Sequence, residues 1–298
     1  MPARVILNPY ADRWNARKRW PEAEAALKST GIDYTVAVSE YKGHDRELAS
    51  QAAQAGYSPV IAAGGDGTVG QVVNGLARVR GEADLGTIGI MPLGTGNDLV
   101  YNLGLPLDLN QAAKVIARGQ TRRLDVCKAG EYYFINNSAV GLEPYISVLE
   151  KRITLFKGMP RYLAAVLKGI FQNPKWQAEV EWDEGRYEGP VTLVSVGNAP
   201  RTGGLFYMTP HANPFDGMLT VLLVEQKSTL GLLRLLPKTM SPQGKFIHNR
   251  GVREFHTTRL TIRLKTPSFA HCEGEPFPQE IDHLEYSILP GALKVLYD

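Results

Sequence analysis

Cysteine is almost absent from this 298-residue chain: only Cys127 and Cys272 are present. Two isolated cysteines exclude a disulfide framework and a CxxC metal site, and they suit a reducing, cytoplasmic compartment. The six histidines are scattered, with no HExxH and no finger-like spacing, so the sequence spells no zinc site. Excess charge is equally scarce. Lys and Arg outnumber Asp and Glu by only 33 to 30, whereas a protein that lives on nucleic acid usually carries a large basic excess. No aromatic-basic reading motif is visible either, so no nucleic-acid partner is expected. Long hydrophobic runs are missing too. Residues 218–224 form one of the longest, far short of the ~18–20 residues that span a bilayer. The N-terminal stretch lacks a long apolar region and a small-residue cleavage site, and is not read as a signal peptide.

What remains is the composition of a soluble globular protein, 44% hydrophobic and 21% charged, long enough for roughly two domains. The first ~125 residues alternate strand and helix signals. Strands are expected at 4–8, 32–38, 59–63 and 86–91, and helices at 16–29, 44–55 and from about 69 to 77. That rhythm predicts a doubly wound α/β domain over residues 1–125. From residue 126 to 298 the pattern turns mainly β, as in a sandwich or curled sheet, with strands at 131–136, 178–182, 186–196, 219–224, 259–265 and 281–289. Glu184-Gly185 marks a hairpin turn, and helix-like insertions are expected near 146–171 and 229–240. The boundary falls within 122–128.

Two glycine-rich segments carry the chemistry. Gly64-Gly65-Asp66-Gly67-Thr68 lies between a buried strand and a helix start, where glycines let a phosphate approach the backbone and the helix offers free N–H groups. It lacks the GK[ST] of a Walker loop and the spacing of a dinucleotide fingerprint. A bare carboxylate at Asp66 would repel a polyphosphate, so it needs Mg²⁺ between them or a proton to take; alone, the segment reads equally well as a tight turn with an Asp cap. Pro92-Leu93-Gly94-Thr95-Gly96-Asn97-Asp98 has the same placement after the next strand. Two such loops on neighbouring parallel strands would line one crevice.

These residues, with Val72-Val73-Asn74-Gly75-Leu76, Gly197-Asn198, Gly203-Gly204, Asp216-Gly217-Met218-Leu219 and Gly274-Glu275-Pro276, resemble the catalytic domain of diacylglycerol kinases and related bacterial lipid kinases over nearly the whole chain. The resemblance implies a nucleotide domain, a β-rich lipid-binding domain, a cleft between them, and transfer of the γ-phosphate of ATP to a lipid hydroxyl. Carried over, the triphosphate site falls on Gly64, Gly65, Asp66, Gly67, Thr68, Val69 and Gly70, with Asn8 and Ser39 nearby and Gly94, Thr95, Gly96, Asn97 and Asp98 opposite. A structural Mg²⁺ site is implied at Asp216, with backbone carbonyls of Asn213 and Met218 and with Asp125 in the same network. Glu273-Gly274-Glu275 matches the family's Asp-Gly-Glu. The resemblance makes Glu275 the general base, supported by Glu273, with Asp66 the third catalytic carboxylate. Val69-Gly70-Gln71 stands where the family usually has Asn-Glu, and Glu273 is one methylene longer than Asp.

Two alternatives stand beside the lipid kinase: an NAD kinase-like enzyme, which shares the GGDGT loop, and a non-catalytic pseudokinase. Residues 151–175 hold Lys151, Arg152, Lys157, Arg161, Lys168 and Lys175 without an acidic residue, interleaved with Leu155, Phe156, Leu163, Leu167 and Phe171; residues 230–253 are similar. Such segments are either domain-packing helices or surfaces for transient contact with an anionic membrane. The resulting expectation is a cytoplasmic protein, peripheral at the inner membrane face, with room for a homodimer.

Overall fold

The computed structural model describes residues 2–12, 14–155 and 158–298, and the chain divides into two compact units. The first runs continuously to Val126 and also takes in Pro214–Gly217 and Leu289–Asp298. The second comprises Cys127–Asn213 and Met218–Ile288. The division is therefore not one cut at 125/126. Residues 122–128, read from sequence as a boundary, lie inside a single strand.

The first unit contains β1 (Ala3–Leu7), α1 (Asn15–Ser29), β2 (Tyr34–Val38), α2 (His44–Gln54), β3 (Val60–Gly64), α3 (Asp66–Arg80), β4 (Gly86–Pro92), α4 (Asp98–Asn102), α5 (Leu109–Arg118) and the start of β5 (Thr121–Ala129). Its strands lie in the order β2-β1-β3-β4, all parallel, and Leu293–Val295 of the chain's last strand adds a fifth beside β4. The sequence signal for that strand ends at Leu289 because Pro290-Gly291 reads as a break. The backbone passes through it instead, with Gly291 at φ 58.

One sheet face packs Val5, Leu7, Ile61, Ala63 and Met91 against α1 and α5 through Ala23, Leu27, Ala112 and Ile116. Side chains alternate along strands, so Ile6, Val60 and Ala62, equally buried, face the other way. Helices α2 and α3 meet closely at Gly75, where an added Cβ would lie 2.4 Å from the Arg46 carbonyl. The chain leaves β1 toward β2 and then returns to β3 on the opposite side. That reversal is the topological switch point where doubly wound sheets take their ligands.

The second unit is mainly antiparallel. It holds the end of β5, β6 (Tyr132–Phe134), β7 (Asn137–Gly141), α6 (Leu142–Arg152), α7 (Met159–Gln172), β8 (Trp176–Trp182), β9 (Gly185–Gly197), β10 (Arg201–Thr202), β11 (Phe206–Tyr207), β12 (Leu219–Glu225), α8 (Thr229–Thr239), β13 (Val252–Thr257), β14 (Arg259–Ser268), β15 (Ala270–Cys272), β16 (Glu275–Pro276) and the start of β17 (Ile281–Leu296). Its strands run β16-β15-β7-β9-β8-β14-β17, with β12 and β13 branching from β9. Both faces of β9 and β12 are covered. Val194, Val196, Val221 and Leu223 enter one core, and Leu193, Leu222 and Val224 another. The β8–β9 turn centres on Asp183-Glu184, since Gly185 already pairs with Trp182.

The single helix expected near 146–171 is two, with Gly158 at φ 71 before the second; Phe156 and Lys157 lie outside the described residues. Among the described residues no helix is long and apolar enough to cross a membrane.

Candidate active site

In the first unit both glycine segments stand at the carboxyl ends of neighbouring strands, β3 and β4. Their backbones touch: a Cβ on Gly94 would lie 2.4 Å from the Gly65 Cα, and one on Gly64 would strike Thr68 Oγ1 at 2.3 Å. No side chain larger than hydrogen fits between them. Leu93 N–H donates to the Gly64 carbonyl at 2.9 Å, closing the same junction. Helix α3 starts at Asp66, three residues before its expected start at Val69. The carboxylate favours the positive end of the helix dipole, so half of the presumed loop is the helix's first turn. Gly67 is exposed, and an added Cβ there would meet nothing within 4 Å. Thr68 and Val69 N–H both turn back to the Gly65 carbonyl, whereas the amides of Asp66 and Gly67 precede the first intrahelical bond and lie where a helix start suits an anion.

Asp66 makes no side-chain bond that caps its own helix. Its Oδ1 accepts the Leu99 backbone N–H of α4 at 3.0 Å, tying the second segment to the first. Asn97 is 7% exposed and folds over its own loop, accepting from Gly94 N and donating to the Gly94 carbonyl. The Thr95 hydroxyl, exposed, donates to Asp12. Gly96 lies in the same turn, and Asp98 is buried at the start of α4.

Several residues nominated for the nucleotide are turned inward. Thr68 and Ser39 are 3% and 2% exposed. Asn8 Nδ2 donates to both Thr68 Oγ1 at 3.1 Å and Asp45 Oδ2 at 3.0 Å, while its Oδ1 accepts from Tyr10 N. Val69 is buried, its N–H bonded to the Gly65 carbonyl, and Gly70 is buried behind it. Four of these five are buried and Asn8 is half-buried, with its side-chain bonds running within the protein. Asp45 was not foreseen. Burial pushes its carboxyl above the ordinary range, against hydrogen bonds from Ser39 and Asn8.

Asp125 on β5 gathers three segments of the first unit. Its Oδ1 accepts from Gly291 N and its Oδ2 from Gly217 N, each at 2.7 Å, and its own N–H donates to the Pro214 carbonyl at 2.9 Å. Burial raises its carboxyl, the backbone donors oppose this, and the charge of Asp216 raises it further. Arg122 stacks 3.4 Å over the Phe215 ring, holding the segment that bears Asp216. Asn213 and Met218 flank that segment in sequence, within the second unit. Among the described residues no three His, Cys, Asp or Glu side chains are grouped to hold a metal. Carboxylate oxygens such as those of Asp125 and Asp216 are the donor type that suits a hard cation such as Mg²⁺ rather than zinc.

In the second unit Glu273 lies in the turn between β15 and β16, and Glu275 opens β16. Glu273 Oε1 accepts the backbone N–H of Ile135 at 2.6 Å and of Asn136 at 2.8 Å, whereas Glu275 is exposed. The pinning is reinforced by Glu273 N–H, which donates to the Asn137 carbonyl at 2.9 Å. Two further polar residues pack under this turn, His271 and Glu143, and neither belongs to a motif legible in the sequence. The one available signal is that His271 sits two positions before Glu273 on a three-residue strand.

The helices of residues 142–172 and 229–239 resolve the two amphipathic segments differently. Ala165, Val166 and Ile170 of α7 are buried with Leu142 and Leu149 of α6, while Leu163, Leu167 and Phe171 are exposed together with Lys168. In α8, Leu232 is buried and Leu233, Leu235 and Leu236 pack inward, so the apolar side of that helix serves packing.

Set against known proteins, the chain matches the diacylglycerol kinase catalytic domain over residues 2–129 and the YegS C-terminal NAD kinase beta sandwich-like domain over residues 137–297. A diacylglycerol kinase of Staphylococcus epidermidis is 30% identical over 276 residues, covering 92% of this chain and 85% of that protein. The diacylglycerol kinase of Bacillus subtilis is 28% identical over 92% of this chain and 89% of its own length. A Chromohalobacter salexigens protein named "Probable lipid kinase YegS-like" is 32% identical over 91% and 86%. The fold is shared with a solved diacylglycerol kinase structure from Bacillus anthracis str. Sterne, with TM-score 0.77, 22% identity, and coverage of 100% and 97%.

Proposed function

The chain belongs to the diacylglycerol kinase family, phosphotransferases that act on an alcohol acceptor, and on that premise we propose that it transfers the γ-phosphate of ATP to a hydroxyl of diacylglycerol or a similar lipid. One observation carries the nucleotide half: two glycine segments in backbone contact at the carboxyl ends of β3 and β4, beside the first turn of α3. The amides at Gly65, Asp66 and Gly67 receive the phosphates, with Thr95 and Gly96 opposite. Exposed rings at Tyr10, Trp14 and Tyr41, on the loops after β1 and β2, offer apolar surface for the base.

Asp125 and Asp216 would hold Mg²⁺. When bound, the cation supplies charge neutralisation, here of two carboxylates that otherwise repel. The chain's own part of the chemistry is a proton. Glu275, exposed at its turn, takes it from the lipid hydroxyl as general base, and Glu273, pinned by two backbone amides, supports it. Asp66 acts beside the phosphates while holding α4 in place. The open stripe of α7, with Leu163, Leu167 and Phe171 beside Lys168, fits brief contact with an anionic bilayer, which supports a peripheral position at the inner face of the membrane.

The test is purified protein with γ-labelled ATP and Mg²⁺ against diacylglycerol, sphingosine and NAD. Label in diacylglycerol or another lipid is expected. Label in NAD alone contradicts the lipid kinase, and ATP binding with no lipid labelled points to a pseudokinase.

A further inference from the structure

Beneath the acidic turn of the second unit lies a buried titratable pair that the reaction above leaves unassigned. His271 is 1% exposed. Its Nε2 lies 3.1 Å from Glu143 Oε1, and its Nδ1 lies 3.2 Å from the Gly274 backbone nitrogen. These two contacts fix the protonation of the ring. A backbone N–H only donates, so Nδ1 is the bare acceptor; an ionised carboxylate only accepts, so Nε2 carries the proton. Glu143, at the start of α6, also accepts from Asn137 Nδ2 at 2.8 Å and from Ser195 Oγ at 3.2 Å. Burial works against its charge, but the bonds from His271, Asn137 and Ser195 outweigh it and hold the carboxyl below its ordinary range. Asn137 is oriented in turn by Thr202 Oγ1 at 3.0 Å.

The turn above this pair needs a hold. Cys272 pairs with Glu275, leaving Glu273 and Gly274 as its two central residues, at φ 52 and 74. Two successive left-handed residues make the tight hairpin turn that Asn-Gly ordinarily occupies. Glycine is at ease there and glutamate is not. Two clamps secure it: the amides of Ile135 and Asn136 on the Glu273 carboxylate, and His271 Nδ1 on the Gly274 N–H. A second proton on the ring would set one N–H against another and open the second clamp. The remaining ionisable neighbours are Cys272 and Tyr286, both raised by burial and both bonded to Ser138, along with Glu273 and Glu275 themselves.

We propose that His271 and Glu143 are positioning residues for phosphoryl transfer: Glu143 fixes the ring proton on Nε2, which leaves Nδ1 to accept from the Gly274 amide and so to fix the direction in which Glu273 and Glu275 point. This deepens the proposed function and rests on it in one respect, the assignment of the base to that turn.

Two substitutions separate the ring nitrogens. His271→Asn places an amide oxygen where Nδ1 stands, and His271→Gln places an amide where Nε2 stands. His271→Gln is expected to lower kcat for lipid phosphorylation about 10–100-fold, the scale of a base misplaced by ~1 Å, with KM for ATP and the unfolding midpoint little changed. His271→Asn should retain most of kcat. Equal kcat in the two variants, high or low, overturns the positioning role. Ring ¹⁵N NMR of the wild-type protein gives a readout that needs no turnover. A single neutral form protonated at Nε2 is expected, and a ring protonated at Nδ1 overturns the proposal. If Glu273→Gln and Glu275→Gln both keep full activity, the base is elsewhere, while the NMR still reports the hydrogen bond on its own terms.

Discussion

The glycine loops of the first unit and the acidic turn of the second are each held in a fixed geometry, by opposite means. The loops are built from backbone. Gly65 and Gly94 meet because neither has a side chain, and the donors they expose are amides whose direction follows from the chain path. The turn is built from side chains. Glu273 is gripped from residues 135 and 136, and Gly274 from His271, which depends on Glu143, which depends on Asn137 and Ser195. A backbone site is compact in sequence because a short run of glycines creates it. A side-chain site is dispersed, because any strand that passes close can contribute a partner.

The contrast can be broken first at Asp66. Asp66→Ala should abolish phosphotransfer, by about 10²–10⁴-fold if the carboxylate handles a proton, and should cost about 1 kcal/mol through the lost bond to Leu99. Asp66→Asn keeps an acceptor for that N–H. It should therefore unfold with the wild type yet remain inactive, and recovery of activity would reduce Asp66 to a cap. Next in size is removal of the cation. Chelation should lower the unfolding midpoint, by about 2.7 kcal/mol equivalent if the starting Mg²⁺ stood at a hundred times Kd, and Asp216→Asn should erase the difference. A midpoint indifferent to Mg²⁺ in both proteins would count against a site at Asp125 and Asp216. Gly94→Ala should cost ~1–3 kcal/mol by overpacking against Gly65 and weaken ATP binding measured by titration. Gly67→Ala, facing open space, should stay within about 0.5 kcal/mol of wild type. Equal effects at the two glycines would show that backbone contact is not what the loops require.

The smallest effect expected is at Asp45. Its carboxyl is raised in the folded protein, so its charge opposes folding above that raised value and ceases to matter once both states are protonated. Asp45→Asn should accordingly raise the unfolding midpoint at about pH 8, with the gain shrinking toward about pH 4, near the ordinary carboxylate range. A gain that grows as pH falls would have the wrong sign.

The same contrast explains what could be read from the chain alone. The alternation of strand and helix, the two glycine segments and their common edge of the sheet follow from local spacing, and the structure has them. The internal use of Asn8, Ser39 and Thr68 does not follow, because their type suits a ligand and a neighbouring Asp45 equally well. The split of one long amphipathic segment into α6 and α7 was hidden because apolar residues recur on both sides of the break. The passage of β17 through Pro290-Gly291 was hidden because its partner, β4, lies two hundred residues earlier in the chain, roughly a domain and a half away. Glu143 and His271 were hidden for a plainer reason. A buried pair has no spacing rule, and only the register of β15 on β7 brings them to one turn.

The measurement that bears most directly on the division of labour is a paired one on the double substitution Glu273→Gln with Glu275→Gln: Mg²⁺-ATP binding by titration, and transfer of label to diacylglycerol in vesicles. If backbone loops hold the nucleotide and the side-chain turn moves the proton, binding stays at the wild-type level and transfer disappears. Transfer at the wild-type rate, or loss of ATP binding along with it, contradicts that division.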